Sequence, residues 1–148
     1  MNLSKGRCDS HTRRRWTFEE AQTAVPYVAS VARSFREHYL EILAKRRELQ
    51  TFARRPGRPD RKALIEEQET RRDLLKAEQD CLDALDELTE LEIQPLDPVQ
   101  GMALVPFVHN DQPAWYVFDL FDSQPIRSWR YQSDPDETRR ELTAPELG

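Results

Sequence analysis

The chain has 148 residues, of which 38% are apolar and 33% charged, and its mean hydropathy is -0.81. A typical globular domain is about 45–50% apolar and about 25% charged, so this chain has little material for a core and much for solvated surface. That composition argues against a compact α/β enzyme. No segment approaches the roughly 20 consecutive apolar residues that cross a bilayer, so we expect no membrane partner.

The charge is divided into blocks. The formal net charge is -5, but residues 1–15 carry +4, residues 54–62 carry +4 and residues 63–92 carry -8. Alternating blocks of opposite sign favour self-association over nucleic-acid binding. An acidic chain repels nucleic-acid phosphate at long range, whereas two copies can pair blocks of opposite charge. The basic start lacks the apolar run of a secretory signal, and two cysteines are too few for a disulfide framework. We therefore expect a cytoplasmic protein with a disordered basic arm over residues 1–15.

The first helix is predicted to begin at Thr17-Phe18-Glu19-Glu20, which has the pattern of a capping box. Apolar residues then recur at intervals of three and four up to Leu49, and only Arg46 interrupts them. Such a repeat predicts a helix with a heptad stripe. Pro26 lies inside this pattern and is expected to bend the helix without ending it.

A second helix is predicted after the helix-breaking cluster Arg55-Pro56-Gly57-Arg58-Pro59-Asp60. Its apolar stripe consists of Leu74, Ala77, Cys81, Ala84, Leu88 and Leu91, flanked by Leu75, Leu82 and Leu85. The two stripes together predict a long antiparallel helical hairpin, coiled-coil-like, over residues 17–92.

After Glu92 the apolar period changes to two, which is typical of strands. Three runs, about Met102–Val108, Ala114–Phe121 and Ile126–Tyr131, predict a small three-stranded antiparallel sheet over residues 93–131, at the base of the hairpin. The middle run is apolar on both faces and should be central. Pro106 lacks a backbone donor, so its strand should lie at an edge.

The fold class predicted is α+β, mainly α, with a single domain over residues 16–133. Residues 134–148 form an acidic tail in this interpretation. It opens on Asp134-Pro135-Asp136-Glu137, a helix-start signal, so a short helix through about Leu142 is expected.

The order of these parts resembles a known family, domain of unknown function 2203. The resemblance covers about residues 16–142 and is carried by Thr17-Phe18-Glu19-Glu20-Ala21, Pro26, Gly101, Pro106, Ile126 and Trp129. It implies a short soluble protein of unassigned activity.

The chain is similar to that family as a divergent member. Against the family pattern, Leu104 stands at an aspartate, Phe118 at or near a cysteine, and Ser123 at a glutamate. Arg130 follows Trp129 where the family has histidine, whereas Arg139 falls at a family arginine. The resemblance therefore implies that most of the family's polar set has been replaced here.

No catalytic, cofactor-binding or metal-ligating set is predicted. The chain has no glycine-rich phosphate loop, and His38 has no partner at metal-ligand spacing. Asp119, within an apolar run, is either a buried functional carboxylate or a side chain that faces solvent or pairs with Arg127 or Arg130; we favour the second interpretation. An enzyme with a pocket between sheet and hairpin ranks below the non-enzymatic functions.

The preferred function is a non-enzymatic protein-interaction or self-association module, most simply a homodimer, with an unidentified protein partner left open. The apolar surface of the first helix is wider than one partner helix covers. The candidate interface residues are Val31, Phe35, Tyr39, Leu40, Ile42, Leu43 and Leu49.

The alternative function is binding of anionic partners, RNA or the ribosome, through the basic arm and the hairpin tip. The candidate anion-binding residues are Arg13, Arg14, Arg15, Arg54, Arg55 and Arg58. Nucleic acid is not favoured, because neither basic block has the interleaved aromatic residues on which bases stack.

Overall fold

The computed structural model describes residues 15–143. Within that range the chain forms two helices and five strands, so it is an α+β protein. The helices are α1 (Phe18–Arg54) and α2 (Arg61–Glu90), and the strands are β1 (Gln94–Asp97), β2 (Met102–His109), β3 (Gln112–Asp119), β4 (Ile126–Tyr131) and β5 (Arg140–Glu141). Neither helix is long and apolar enough to cross a membrane.

Both helices begin at side-chain caps. The Thr17 hydroxyl accepts a hydrogen bond from the Glu20 amide, and the Glu20 carboxylate accepts one from the Thr17 amide, so the predicted capping box is confirmed. At the start of α2, Asp60 Oδ1 accepts from the Ala63 amide at 2.8 Å. Each cap satisfies donors that the first helical turn leaves free.

α1 and α2 lie side by side and run in opposite directions. Tyr27 donates to Glu87 at 2.7 Å, and Arg46 pairs with Glu78 at 3.4 Å. Near the second contact, Ile42, Ala77 and Cys81 form a small apolar cluster. On α2 the buried residues at heptad spacing are small: Ala63, Thr70, Ala77 and Ala84.

The sheet follows the order β1-β2-β3-β4-β5, and all its neighbouring strands are antiparallel. β3 is central, as its two apolar faces predict. One face of the sheet shares a core with α1 and α2 at their base; its buried members include Val28, Leu88, Val105, Tyr116, Phe118 and Trp129.

The prediction that the strand of Pro106 lies at an edge was wrong, since β2 lies between β1 and β3. β1 pairs with β2 only as far as Leu104, so β2 has no strand on that side at Pro106, where the missing donor would break a ladder. The Trp16 amide donates to the Pro106 carbonyl at 2.9 Å, and Trp16 Nε1 donates to the Leu91 carbonyl at 3.2 Å. Trp16 therefore joins β2 to the end of α2.

The prediction of three strands was wrong, since the sheet of the described residues has five. β1 is four residues long and includes Pro95, and β5 is two residues long, so neither carries a strand-like apolar pattern. β5 pairs with Ser128 and Trp129 of β4.

The predicted tail helix is also wrong. Residues 132–143 form turns and β5 instead, because Asp134 accepts from the Tyr131 amide at 2.8 Å and pairs with Arg140 at 2.9 Å. These bonds turn the chain back along β4, so Arg140 and Glu141 of the predicted tail belong to the sheet. Of the predicted arm, residues 1–14 lie outside the described part of the chain.

Enlarging a small residue between the helices should destabilise the fold. Ala77 is buried beside Ile42, so Ala77→Leu should lower the free energy of unfolding by about 1–3 kcal/mol through overpacking. Urea unfolding measures this. The matched variant Glu69→Leu, at an exposed position of α2, should change it by less than about 0.5 kcal/mol. Equal effects of the two substitutions would contradict the packing described.

Candidate functional site

A cavity of about 840 Å³ opens at one end of the sheet. Its walls come from the start of α1, the loop between β3 and β4, and the last described residues. The polar lining residues include Asp119, Asp122, Ser123, Arg127, Arg139 and Glu141. Ser123 and Arg139, which stand at polar positions of the resembled family, are thus both placed here.

Several of the charged groups in this cavity are already engaged. Arg127 donates two bonds to the Asp122 carboxylate, at 2.9 and 2.7 Å, and this pair holds the pKa of Asp122 below its ordinary value. Arg139 donates to the carbonyls of Asp136 and Thr138. The half-buried Asp119 accepts from the Phe121 amide at 3.0 Å and pairs with neither predicted arginine.

Arg130 is the most deeply buried charged side chain of the described residues, at 3% exposed. It donates to the carbonyls of Tyr131 and Asp134 and pairs with Asp136 at 3.3 Å. It therefore fastens the turn that precedes β5. The other two replaced family positions, Leu104 and Phe118, are buried apolar residues of the sheet.

Histidines occupy two different environments. His109 ends β2, with Nδ1 2.7 Å from the Tyr131 hydroxyl and its ring 4.4 Å from that of Trp129. These contacts of His109 depend on the register in which β2, β3 and β4 pair, which no local pattern in the sequence indicates. His38 is half-buried beside Glu41 and Asp80. Over residues 15–143, no three metal-ligating side chains come together.

The candidate interface residues of α1 fall into two groups. Val31 and Ile42 are buried inside the chain itself, where they belong to the core and to the small cluster between the helices. Phe35, Tyr39, Leu40, Leu43 and Leu49 are half-buried and keep part of their surface. α1 therefore offers a narrower apolar surface than its sequence indicates.

α2 carries the more exposed apolar surface. Leu64, Leu75 and Leu82 are 50%, 67% and 53% exposed, and their spacings of 11 and 7 residues place them on one face of the helix. Leu75 and Leu82 lie about one turn on either side of Glu78, the partner of Arg46 on α1. The sequence pattern placed Leu75 and Leu82 beside the apolar stripe of this helix and did not indicate that their side of the helix is exposed.

The turn between the helices presents the basic residues predicted there. Arg54, Arg55 and Arg58 are exposed, and within residues 15–143 none of them forms an ion pair. Arg55 stacks on the Phe52 ring, 4.8 Å from its centroid. Of the arm residues, Arg15 is exposed, whereas Arg13 and Arg14 lie outside the described range.

The class of the protein follows from these observations. It is an α+β protein in which two long antiparallel helices carry a small antiparallel sheet at one end. The family model of an uncharacterized conserved protein (DUF2203) matches residues 14–142, and the chain belongs to that family, as the resemblance predicted. No curated protein and no solved structure matches the chain.

The Asp134–Arg140 pair predicts a pH-dependent contribution to stability. Arg140 holds the pKa of Asp134 below its ordinary value, so the pair stabilises the fold above the unfolded pKa of about 3.9 and loses its effect as pH falls through the lower folded value. Asp134→Asn should therefore destabilise the protein at neutral pH. The difference from wild type should shrink below about pH 4.

Urea unfolding between pH 3 and pH 7 measures this difference. The control is Glu137→Gln, an exposed carboxylate without a hydrogen bond among the described residues. Its effect should be small at every pH. A deficit in Asp134→Asn that stays constant down to pH 3 would contradict the assigned role of the ion pair.

Proposed function

We propose that this protein is a self-association module that acts without catalysis, most simply as a homodimer. The observation that carries the proposal is the exposure of Leu64, Leu75 and Leu82 on one face of α2. Leucines repeated at spacings of 11 and 7 residues along one helix face are typical of a seam between helices. A second copy is the simplest partner, because most homo-oligomers are two-fold dimers.

Residues of α1 extend the exposed apolar face of α2 onto the neighbouring helix. Arg46 crosses from α1 to Glu78, and Leu43 lies about one turn before Arg46 on α1. The half-buried Leu43 thus adjoins the side on which Leu75 and Leu82 are exposed. A second chain laid there would contact both helices, in the manner of a coiled-coil-like bundle.

The absence of catalysis is proposed from the chemistry of the sheet-end cavity. The Asp122 carboxylate is paired with Arg127, and Arg139 donates hydrogen bonds to backbone carbonyls. Asp119 is bound to the Phe121 amide. The Ser123 hydroxyl hydrogen-bonds to the Asp122 carboxylate, but the hydrogen bonds from Arg127 lower the pKa of that carboxylate, which makes it a weak base for activating a nucleophile. We propose a cytoplasmic setting on the grounds given by the sequence.

Charged substitutions in the exposed α2 face should separate the copies. Wild-type protein should have a dimer mass by light scattering at micromolar concentration. Leu75→Lys or Leu82→Lys should shift it toward monomer, because a dimer would bury an unpaired charge. These leucines are exposed in one chain, so the melting temperature of the monomer should change little.

The matched control is Val108→Lys, at an apolar residue 37% exposed that lies on β2 of the sheet and not on the α2 face. It should leave the dimer intact. A wild-type chain that is monomeric at about 100 μM, where even micromolar affinities are saturated, would sink the proposal.

A second candidate function is binding of an anionic partner, RNA or the ribosome, at the tip. It is favoured by the lack of ion pairs for Arg54, Arg55 and Arg58 among the described residues, which leaves these guanidinium groups free for phosphate. Against it stand the acidic α2 and the scarcity of aromatic side chains for base stacking; Phe52 is already beneath Arg55.

Salt-dependent retention of a generic RNA discriminates the two functions. If the tip is only solvated surface, Kd should be about 10⁻⁴–10⁻⁶ M or weaker at physiological salt. The triple variant Arg54→Ala, Arg55→Ala, Arg58→Ala should then behave like the control triple Arg33→Ala, Arg47→Ala, Arg72→Ala, whose positions are also exposed. Submicromolar binding lost only in the tip variant would establish the second function.

A further inference from the structure

The exposed face of α2 is complementary to itself when reversed. Nine exposed residues lie on it, within an arc of about 80° at 100° per residue. In order they are Arg61, Leu64, Gln68, Arg72, Leu75, Gln79, Leu82, Asp86 and Glu90. One end carries a base and the other carries two acids, a leucine and then a glutamine follow inward from each end, and Arg72 and Leu75 lie at the centre.

We propose that two copies of this chain pair through this face with their α2 helices antiparallel, about a two-fold axis near residues 73 and 74. This inference rests on the proposed self-association and specifies its geometry. Arg61 then lies opposite Asp86 of the partner subunit. Leu64 lies within one residue, about 1.5 Å, of the partner's Leu82, and Gln68 lies opposite the partner's Gln79. At the centre, Arg72 lies opposite the partner's Leu75.

Charge selects this orientation over a parallel one. The turn and start of α2, residues 54–62, carry +4, whereas residues 73–90 hold seven acids and one base. An antiparallel pair sets each basic end against the partner's acidic end, and a parallel pair would bring like charges together. Within residues 15–143, neither Arg61 nor Asp86 has an ion pair, so both remain available for the partner.

A charge swap tests the orientation. Arg61→Asp and Asp86→Arg should each raise the dimer Kd about tenfold, since each converts two symmetric attractions into repulsions and exposed pairs are worth a few tenths to 1 kcal/mol. The double variant Arg61→Asp, Asp86→Arg re-forms both pairs with reversed sign. Its Kd, measured by sedimentation equilibrium, should return to within about threefold of wild type.

A return of the double variant's Kd toward the wild-type value can come only from contact between the two chains. In one chain residues 61 and 86 are separated by about 37 Å of helix at 1.5 Å per residue, several Debye lengths at physiological salt. An acid at the start of α2 and a base near its end also suit the helix dipole, so the variants should fold. Glu69→Arg, exposed on another side of α2, is the control and should leave Kd unchanged.

The outcomes separate this inference from the proposed function. A wild-type dimer whose double variant stays as weak as the single variants has another orientation, which overturns the antiparallel α2 pairing and leaves self-association standing. A wild-type chain monomeric at about 100 μM overturns both. A rescued dimer that Leu75→Lys dissociates, because the new base lies opposite the partner's Arg72, supports the pairing at its centre as well as at its ends.

Discussion

The rest of the structure depends on the close approach of two helices, which small side chains on α2 permit. Ala63, Thr70, Ala77 and Ala84 recur every seven residues and are all buried. Opposite them α1 supplies larger side chains, among them Ile42 beside Ala77. Because the residues at these four positions are small, the two helices can approach closely and bury this part of their seam without needing many large apolar residues. A chain with 38% apolar residues can therefore maintain a long helix pair.

At the β5 edge of the sheet, the chain is held by ion pairs more than by backbone hydrogen bonds to β4. β5 pairs with β4 at only two residues, while Arg140 pairs with Asp134 and lies over the rings of Trp129 and Tyr131. Arg130 anchors the same turn from a buried position. Charge-assisted bonds of this kind stabilise a segment too short for strand propensity to act.

The long elements could be predicted from the sequence because their signals are local. The capping box fixed the start of α1, the helix-breaking cluster at 55–60 fixed the turn, and period-two runs fixed the three inner strands. β1, β5 and the fate of Asp134 could not be predicted, because Asp134-Pro135 favours a helix locally and only the nearby arginines override it. The exposed leucines of α2 were missed because which flank the helix pair leaves open depends on tertiary packing.

The core is unevenly distributed along the helix pair. Among the described residues, sixteen buried side chains form the cluster at the sheet end, three form the cluster farther along, and Ala63 and Thr70 near the turn belong to neither. Local opening free energies follow the density of buried apolar contacts. Backbone amides near the turn should therefore exchange with solvent through local fraying, and those of β3 only through global unfolding. The molecule thus has a graded resistance to opening along its length, with its most labile turns beside the basic residues that it presents to solvent.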